Sequence, residues 1–547
     1  MRPFLITNFC PLILLGFVFV AGCWGAGESP SVATQDSGKV AEVPVQKPGE
    51  APAIGSEPVF SGPPRLRRED LPELTEEQKR DAENLVMGAC SRCHAPLAPD
   101  VLPRDSWEKV ILSMSGLTGE SGQIGASAEE IAIALYWYES SAPEQLDYSR
   151  HQPQERLKFD TVQLTPRGLE SERIPAVSDI LMLKGKKGRS EGILISELRS
   201  RRLMFLPYGD PRQTGLVPYL GNIDFNYPAS LSHADFDGKG RMDILVSSIG
   251  GMNPTNDVEG GAWIVTRSAR DMKAIPVGGE IARACSMEGE DLDGDEDTDF
   301  VVCAFGFRGP GRLLWLKNIN GKFAIKEIDG RDGFVSAILD DVDGDDDIDI
   351  VALLSQEHEI LMQYTNTGEG VFEPKVLLSM PNAAWGSSDL LRVDIDRDGD
   401  RDLILVNGDT LDDNTPKPTH GVRWVERSGD QYVEVHEITL LPGCERAAVG
   451  DLDGDGDLDV VGAAFFPQLP EEQWGRWDSL VWAENLGDAK NWVTHVLEVG
   501  NPVHSSVLLD DVNRDGLVDI ILGNYVWLPS GGGSSVKRDY LTVMIRQ

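Results

Sequence analysis

Six acidic loops recur along this chain, beginning at Asp235, Asp291, Asp341, Asp394, Asp451 and Asp511, with separations of 56, 50, 53, 57 and 60 residues. β-type segments lie between them. A repeat of this length is one supersecondary unit that cannot bury its apolar face alone and must stack against copies of itself. The clearest copy, Asp451-Leu452-Asp453-Gly454-Asp455-Gly456-Asp457-Leu458-Asp459, runs straight into the apolar strand Val460-Val461-Gly462-Ala463. Carboxylates at loop positions one, three, five and nine, with a backbone carbonyl at position seven, form an oxygen cage of the size and charge that Ca²⁺ prefers. The expected ligands are Asp291, Asp293, Asp295 and Asp299; Asp341, Asp343, Asp345 and Asp349; Asp394, Asp396, Asp398 and Asp402; Asp451, Asp453, Asp455 and Asp459; and Asp511, Asn513, Asp515 and Asp519. The loop at Asp235 carries Lys239 at position five and Arg241 at position seven, so weak calcium binding or a side-chain cation in its place is expected there. About five calcium ions follow from this count. They also answer a question of charge, since a formal net charge of -39 needs counterions and argues against nucleic acid or an anionic membrane surface as a direct partner.

The loops are similar to the FG-GAP and VCBS repeats of integrin-α-type β-propellers, in which each calcium loop joins the first two strands of a four-stranded blade. The segment Leu183 to Ile195 aligns with Ala234 to Val246 and starts 51 residues earlier, which makes it a seventh copy without acids. A seven-bladed, all-β propeller over residues 150–547 is therefore expected. The last loop is followed by Asp519 to Asn524 and Tyr540 to Arg546, which leaves the final blade one strand short. Leu157 to Leu164 matches the fourth-strand pattern of Trp492 to Leu497 and Tyr432 to Ile438, and would seal the ring without a long exposed edge. The face opposite the calcium loops then presents Tyr227, Arg283, Trp385, Glu445, Arg446 and His504 from strand-one entrances, and Phe305, Asn407, Phe465 and Tyr525 from strand-two exits. Such a mouth suits a carbohydrate, a peptide or a redox partner, with ordinary rim residues as the alternative reading. Cys285 and Cys303 flank one hairpin, leaving a disulfide there as an open option, and Cys444 has no evident mate.

A second feature is independent of the repeats. Cys90-Ser91-Arg92-Cys93-His94 places two thiols on about one helical turn, the spacing that meets the two vinyl groups of a haem c, with the adjacent histidine as axial ligand. A thioredoxin-type pair would need a preceding strand and a βαβ context, and a zinc site two further ligands nearby; the surrounding sequence has neither. Three helical patterns surround the motif, opening on capping signatures at Thr75 with Gln78, Asp105 with Glu108 and Ser127 with Glu130. This all-α stretch, 69–143, resembles a small class I cytochrome c. Met114 lies twenty residues after His94, before a loop containing Gly116, Gly119, Gly122 and Gly125, and is the expected sixth ligand, with a core role as the alternative. Histidine–methionine ligation favours electron transfer, whereas an open iron favours small-ligand chemistry.

The first residues complete the picture. Arg2 and the apolar run Phe9 to Val20 read as a secretory signal too short to span a membrane. Val20-Ala21-Gly22-Cys23 resembles the bacterial lipobox, which implies removal of residues 1–22, diacylglycerol on Cys23 and, with Trp24 following, the outer membrane; a plain cut near Ala26 is the alternative. Residues 23–68 have the composition of a disordered tether. Together these features resemble an exported, lipid-anchored bacterial lipoprotein on the periplasmic or cell-surface side, joining a monohaem cytochrome c to a calcium propeller that meets a redox partner or an extracellular ligand such as a glycan. A haem-linked oxidoreductase acting on a carbohydrate-like substrate, or an adhesion propeller with an accessory haem, are the alternatives. No organic cofactor motif is visible, and a haem alone is a poor hydride acceptor, so electron transfer and binding are expected ahead of bond chemistry. Met114→Ala is expected to convert a six-coordinate haem spectrum to one with an exchangeable sixth position; an unchanged spectrum removes Met114 from the iron.

Overall fold

Phe159–Leu164 lies alongside the last strand of the chain, Leu541–Arg546, antiparallel from Phe159 opposite Arg546 to Leu164 opposite Leu541. The computed structural model describes residues 66–92, 96–114, 126–148, 150–153, 156–167, 174–185, 190–221, 223–252, 255–267, 272–306, 309–368, 370–411, 413–528 and 537–547. The predicted signal and lipid site at Cys23, the pair Cys93 and His94, and the glycine-rich loop after Met114 lie outside these residues; of Met114 only the backbone is described.

That terminal pairing closes a ring of seven sheets. Blades 1 to 6 occupy 177–219, 228–281, 284–329, 334–379, 387–440 and 444–499, and blade 7 takes 504–546 together with Phe159–Leu164. Within blades 2 to 7 the second strand, for example Asp299–Ala304 or Asp459–Ala464, is buried along its whole length, because it lies between neighbouring blades and is covered on both faces. The third strands carry Trp315, Trp424 and Trp482, all fully buried. The fourth strands, such as Lys322–Asp329, are largely exposed and polar. A fifth strand, Gln152–Pro153, adds in parallel to the outer edge of blade 6.

The first strands line the axis, and each of the seven has a β-bulge after its first residue, placing Asp179, Ser230, Ser286, Ser336, Asp389, Arg446 and Ser506 at one level of the ring. The bulged residue next to them becomes a staple between blades in three places. Ser178 Oγ donates to Pro228 O at 2.7 Å, Ser388 Oγ to Cys444 O at 3.4 Å and Ser505 Oγ to Val177 O at 2.6 Å. The last of these ties blade 7 to blade 1.

Among the described residues before the ring there are four α-helices, α1 (Glu76–Arg80), α2 (Ala82–Cys90), α3 (Arg104–Met114) and α4 (Ala128–Ser141). Capping boxes hold α1 through Thr75 and Gln78 and α4 through Ser127 and Glu130. The third expected cap does not form: α3 starts at Arg104, so Asp105 lies inside its first turn. Pro103 suits a helix start, and the Arg104 amide donates to Pro143 O at 2.8 Å, so a distant carbonyl takes the place of a local cap. Trp107 stacks on Tyr138 with ring centres 3.8 Å apart, and Tyr138 OH donates to Leu97 O at 2.9 Å. Among the described residues no helix is long and apolar enough to cross a membrane.

The helices rest on blade 5. Ala383 and Ala384 pack into the helical core, Ser106 Oγ lies 3.2 Å from Thr415 Oγ1, and Tyr148 donates to Pro416 O at 2.8 Å while meeting the edge of Trp477. Leu541 is fully buried among Val162, Leu164, Val543 and Ile545 at the ring closure. Leu541→Ala is expected to cost about 2–5 kcal/mol in denaturant unfolding, whereas the same truncation at the exposed Val376 is expected to cost little.

Candidate functional site

In the acidic loops the residue at position one wraps the turn around its own carboxylate. Asp291 accepts the amides of Gly294 at 2.9 Å, Asp295 at 3.2 Å and Glu296 at 2.8 Å, and Asp341 those of Gly344, Asp345 and Asp346 at 2.7, 3.1 and 3.1 Å. Position five accepts the amide of position seven, as Asp345 does from Asp347 at 3.0 Å and Asp398 from Asp400 at 2.9 Å. Position nine is fully buried in all five acidic copies. One oxygen of each of these aspartates accepts a third-strand amide: Asn318 to Asp299 at 2.6 Å, Asn366 to Asp349 at 2.7 Å, Arg427 to Asp402 at 2.8 Å, and Asn485 to Asp459 and Arg546 to Asp519 at 2.9 Å. In four copies the other oxygen accepts the amide of position two, at 3.1 to 3.3 Å. Burial pushes Asp299, Asp349, Asp402 and Asp519 up to about 6 and Asp459 to about 7.

These loops fit a hard cation. Carboxylate oxygens of Asp291, Asp293 and Asp295, of Asp341, Asp343 and Asp345, and of Asp394, Asp396 and Asp402 lie within 4.8 Å of one another. Asp293 Oδ1 and Asp394 Oδ1 are buried without a hydrogen-bond partner, which an oxygen-seeking ion would satisfy. In the loop at Asp235, Lys239 Nζ stands 2.6 Å from Asp237 Oδ2, and Asp243 still accepts the Arg267 amide at 2.9 Å. The scaffold there is kept, with a side-chain cation among the acids. Sequence reasoning missed Lys317, which reaches from the third strand to Asp293 and lies 3.5 Å from Asp295. Its signal was the residue before the strand-three anchor, which is Glu426 in blade 5 and Glu484 in blade 6.

On the opposite face the ten expected residues divide. Trp385, Asn407, Phe465 and His504 are buried, because the turns there fold over one another. Asn407 donates to Trp385 O at 3.0 Å and accepts from Arg423 at 2.6 Å, while the Arg423 guanidinium lies 4.4 Å from the Trp385 ring centre. His504 is held between Asn524 Oδ1 at 2.9 Å and Glu498 Oε2 at 2.6 Å. Tyr227, Arg283, Phe305, Glu445, Arg446 and Tyr525 keep partial exposure. An axial cavity of about 420 Å³ is lined by the first strands, and its charged groups are Asp179, Glu288, Asp389, Arg392 and Arg446. Arg446 donates to Ser388 O at 2.5 Å and lies 3.9 Å from Asp389. Burial alone would lower its guanidinium, but the pull of Asp389, Glu445 and Asp179 raises it. Burial pushes Glu288 and Glu445 up to about 8 and Asp179 to about 6. A cavity with three carboxyl groups beside two guanidinium groups can hold a polyhydroxylated or charged group. Cys285 and Cys303 form no disulfide: the bulge in the first strand of blade 3 sets Ser286, not Cys285, opposite Cys303.

In the helical part, Cys90 closes α2, partly buried against the core around Trp107 and Tyr138. A hollow of about 310 Å³ beside α2 is lined by Leu85, Gly88, Arg92, Glu130 and Ile133, and Arg92 pairs with Glu130 at 2.7 Å across α2 and α4. Residues 383–384 precede the first strand of blade 5 and 415–416 follow its second strand, so the helices sit on the face away from the acidic loops.

Residues 394–462, from the loop of blade 5 to the second strand of blade 6, match the model of the FG-GAP-like repeat. A comparison with curated protein sequences gives no match. Among solved structures the chain is similar to one of U3-55K, at 9% identity and a TM-score of 0.42 over 71% of this chain and 98% of that chain. It is similar also to the RRP9 WD40 repeats, at 9% identity and a TM-score of 0.43 over 72% of this chain and 100% of that chain. Neither likeness is close enough to bear on function.

Glu288 offers a pH test of the cavity. Its carboxyl titrates near 8 in the folded ring against an ordinary value of 4.5, so the folded state binds the extra proton and its stabilisation is lost as pH rises through that window. Glu288→Gln is expected to gain melting temperature relative to the parent between about pH 5 and pH 8.5, the difference growing with pH.

Proposed function

We propose that this chain is an exported, lipid-anchored binding propeller, stiffened by calcium, that carries a covalent c-type haem for single-electron transfer beside its ligand face. The carrying observation is the C-x-x-C-H run beginning at Cys90, at the end of a helix whose bundle rests on blade 5. Two thiols and an imidazole in this order suit haem attachment and axial ligation, and the partly buried Cys90 lies against apolar and aromatic residues of the kind that border a haem. Cys90 and Cys93 would hold the group, His94 would ligate it, Met114 would take the sixth position, and Cys23 would carry the lipid. When bound, such a haem supplies one-electron oxidation and reduction. The propeller's part is recognition: a ring with FG-GAP repeats offers a rigid disc with an open mouth, and Tyr227, Phe305, Arg283 and Tyr525 are available there to a glycan, a peptide or a redox protein. The acidity of the chain weighs against nucleic acid.

Two measurements test this reading on protein exported by a host with haem-attachment machinery. The purified chain is expected to show a covalent haem spectrum that Cys93→Ser reduces or abolishes; a chain that matures without haem overturns the electron-transfer reading. Chelation of calcium is expected to lower the melting temperature of the ring and leave the haem spectrum intact, and an unchanged melt removes calcium from the loops. Haem reduction by an added sugar without a protein donor would make the chain an oxidoreductase.

A further inference from the structure

Outside the calcium loops, one cluster on the opposite face is arranged as a metal site. Asp332 lies in the connection that leads into the first strand of blade 4, Phe334–Asp340, and Glu357 and His358 lie in the turn after its second strand, Asp349–Leu354. The backbone brings these two segments together, with the Ser355 amide donating to Gly333 O at 2.8 Å and the Gly333 amide to Phe305 O at 2.9 Å. Close packing holds Asp332 in place, since a side chain on Gly311 would stand 2.5 Å from its Cα. Beyond the turn, buried Glu359 accepts the amides of Gly386 at 3.0 Å and Ser387 at 3.2 Å, which anchors the turn to blade 5.

The side chains converge with no hydrogen bond among them at normal length, although Asp332 and the imidazole of His358 form an ion pair at 3.7 Å when His358 is protonated. One ligand atom each from Asp332, Glu357 and His358 lies within 4.8 Å of the others. Asp332 is only 3% exposed, yet its Oδ1 accepts no hydrogen bond, and His358 Nε2 also has no hydrogen-bond partner. These two atoms are 3.7 Å apart, too far for a hydrogen bond. Ligands about 2.1 Å from a tetrahedral ion stand roughly 3.4 Å from each other, so a small contraction around an ion would satisfy both. The neighbouring Arg331 does not fill the gap, because it is paired with Asp329 at 2.6 Å. A comparable cluster in blade 5 is already closed, His436 Nε2 lying 2.7 Å from Glu426 Oε2.

We propose that Asp332, Glu357 and His358 bind one divalent transition metal, of which zinc is the best fit, separate from the calcium in the loops. One imidazole nitrogen with two carboxylates suits zinc, and three protein ligands are too few, and one of them wrong in kind, for Ca²⁺. Three ligands leave a tetrahedral ion one position for water or for a coordinating group of whatever binds this face.

The test is zinc titration of the full-length chain, stripped of metal and then held in excess calcium so that the loops are occupied. The parent is expected to bind one zinc equivalent that His358→Ala and Asp332→Asn lose, Glu357→Gln weakens and His436→Ala keeps. Because Cys90, Cys93 and His94 could take zinc in chains without haem, the difference between the parent and His358→Ala is the readout. The His358 side chain is 20% exposed against 3% for Asp332, so its replacement is the decisive variant should the buried Asp332 prove necessary for folding. Cobalt substitution gives an independent signal, a visible ligand-field spectrum that disappears in His358→Ala. Equal zinc stoichiometry in the parent and His358→Ala, or a cobalt spectrum that the substitution leaves unchanged, overturns the proposal.

Discussion

The buried carboxylate at the ninth position of each acidic loop is the contact on which the ring depends, because it joins a loop to a strand that is distant in sequence. It receives a third-strand amide and, in four copies, an amide from the start of its own loop. Hydrogen bonds to an ionised carboxylate are worth roughly 1.5–3 kcal/mol each, and removing the acceptor would strand buried donors. The anchor residue completes the joint from its own side chain. Asn318 and Asn485 reach back to the carbonyls of Thr298 and Leu458, while Asn366 and Arg427 reach the loops of the preceding blades at Leu292 O and Val342 O. The same carboxylate persists at Asp243, in the loop where Lys239 stands among the acids. Its scaffold role therefore does not require a full set of acids in the loop.

This joint divides the disc into two faces with different chemistry. On the loop side, acids are concentrated into tight turns whose amides already point inward, a geometry that lowers the cost of gathering like charges and leaves oxygen lone pairs for cations. On the other side the connections are longer and more varied, and they hold the axial mouth, the helical bundle over blade 5 and the cluster around Asp332. Charges inside the axis are handled differently again. Arg446 is shared among several acids, and the acids left without a full partner, such as Glu288, retain their protons to unusually high pH. Burial without pairing has that consequence wherever a carboxyl cannot be solvated.

What could be read in advance was local or periodic. Loop spacing exposed the blades; an unpaired final strand exposed the closure, although the closing strand begins at Phe159 rather than Leu157. Caps at Thr75 and Ser127 were legible because both partners lie within three residues. The cap expected at Asp105 failed because its helix start is satisfied by Pro143, a contact with no sequence signal. Four residues assigned to the open face are buried for a similar reason: strand ends locate them, but only the packing of neighbouring turns decides whether they face solvent or hold those turns together.

The amino-acid sequence alone determined the repeat, its count, the acidic donor sets and the C-x-x-C-H run, since each is a matter of residue type at fixed spacing. Only the tertiary structure decided which acids share a cavity, that a bulge in every first strand brings Asp179, Asp389 and Arg446 to one level, and that Asp332 meets His358. Those neighbours come from different blades or from the two segments that enter and leave one strand pair. Their distances follow from sheet register and blade packing, which depend on the whole ring being closed.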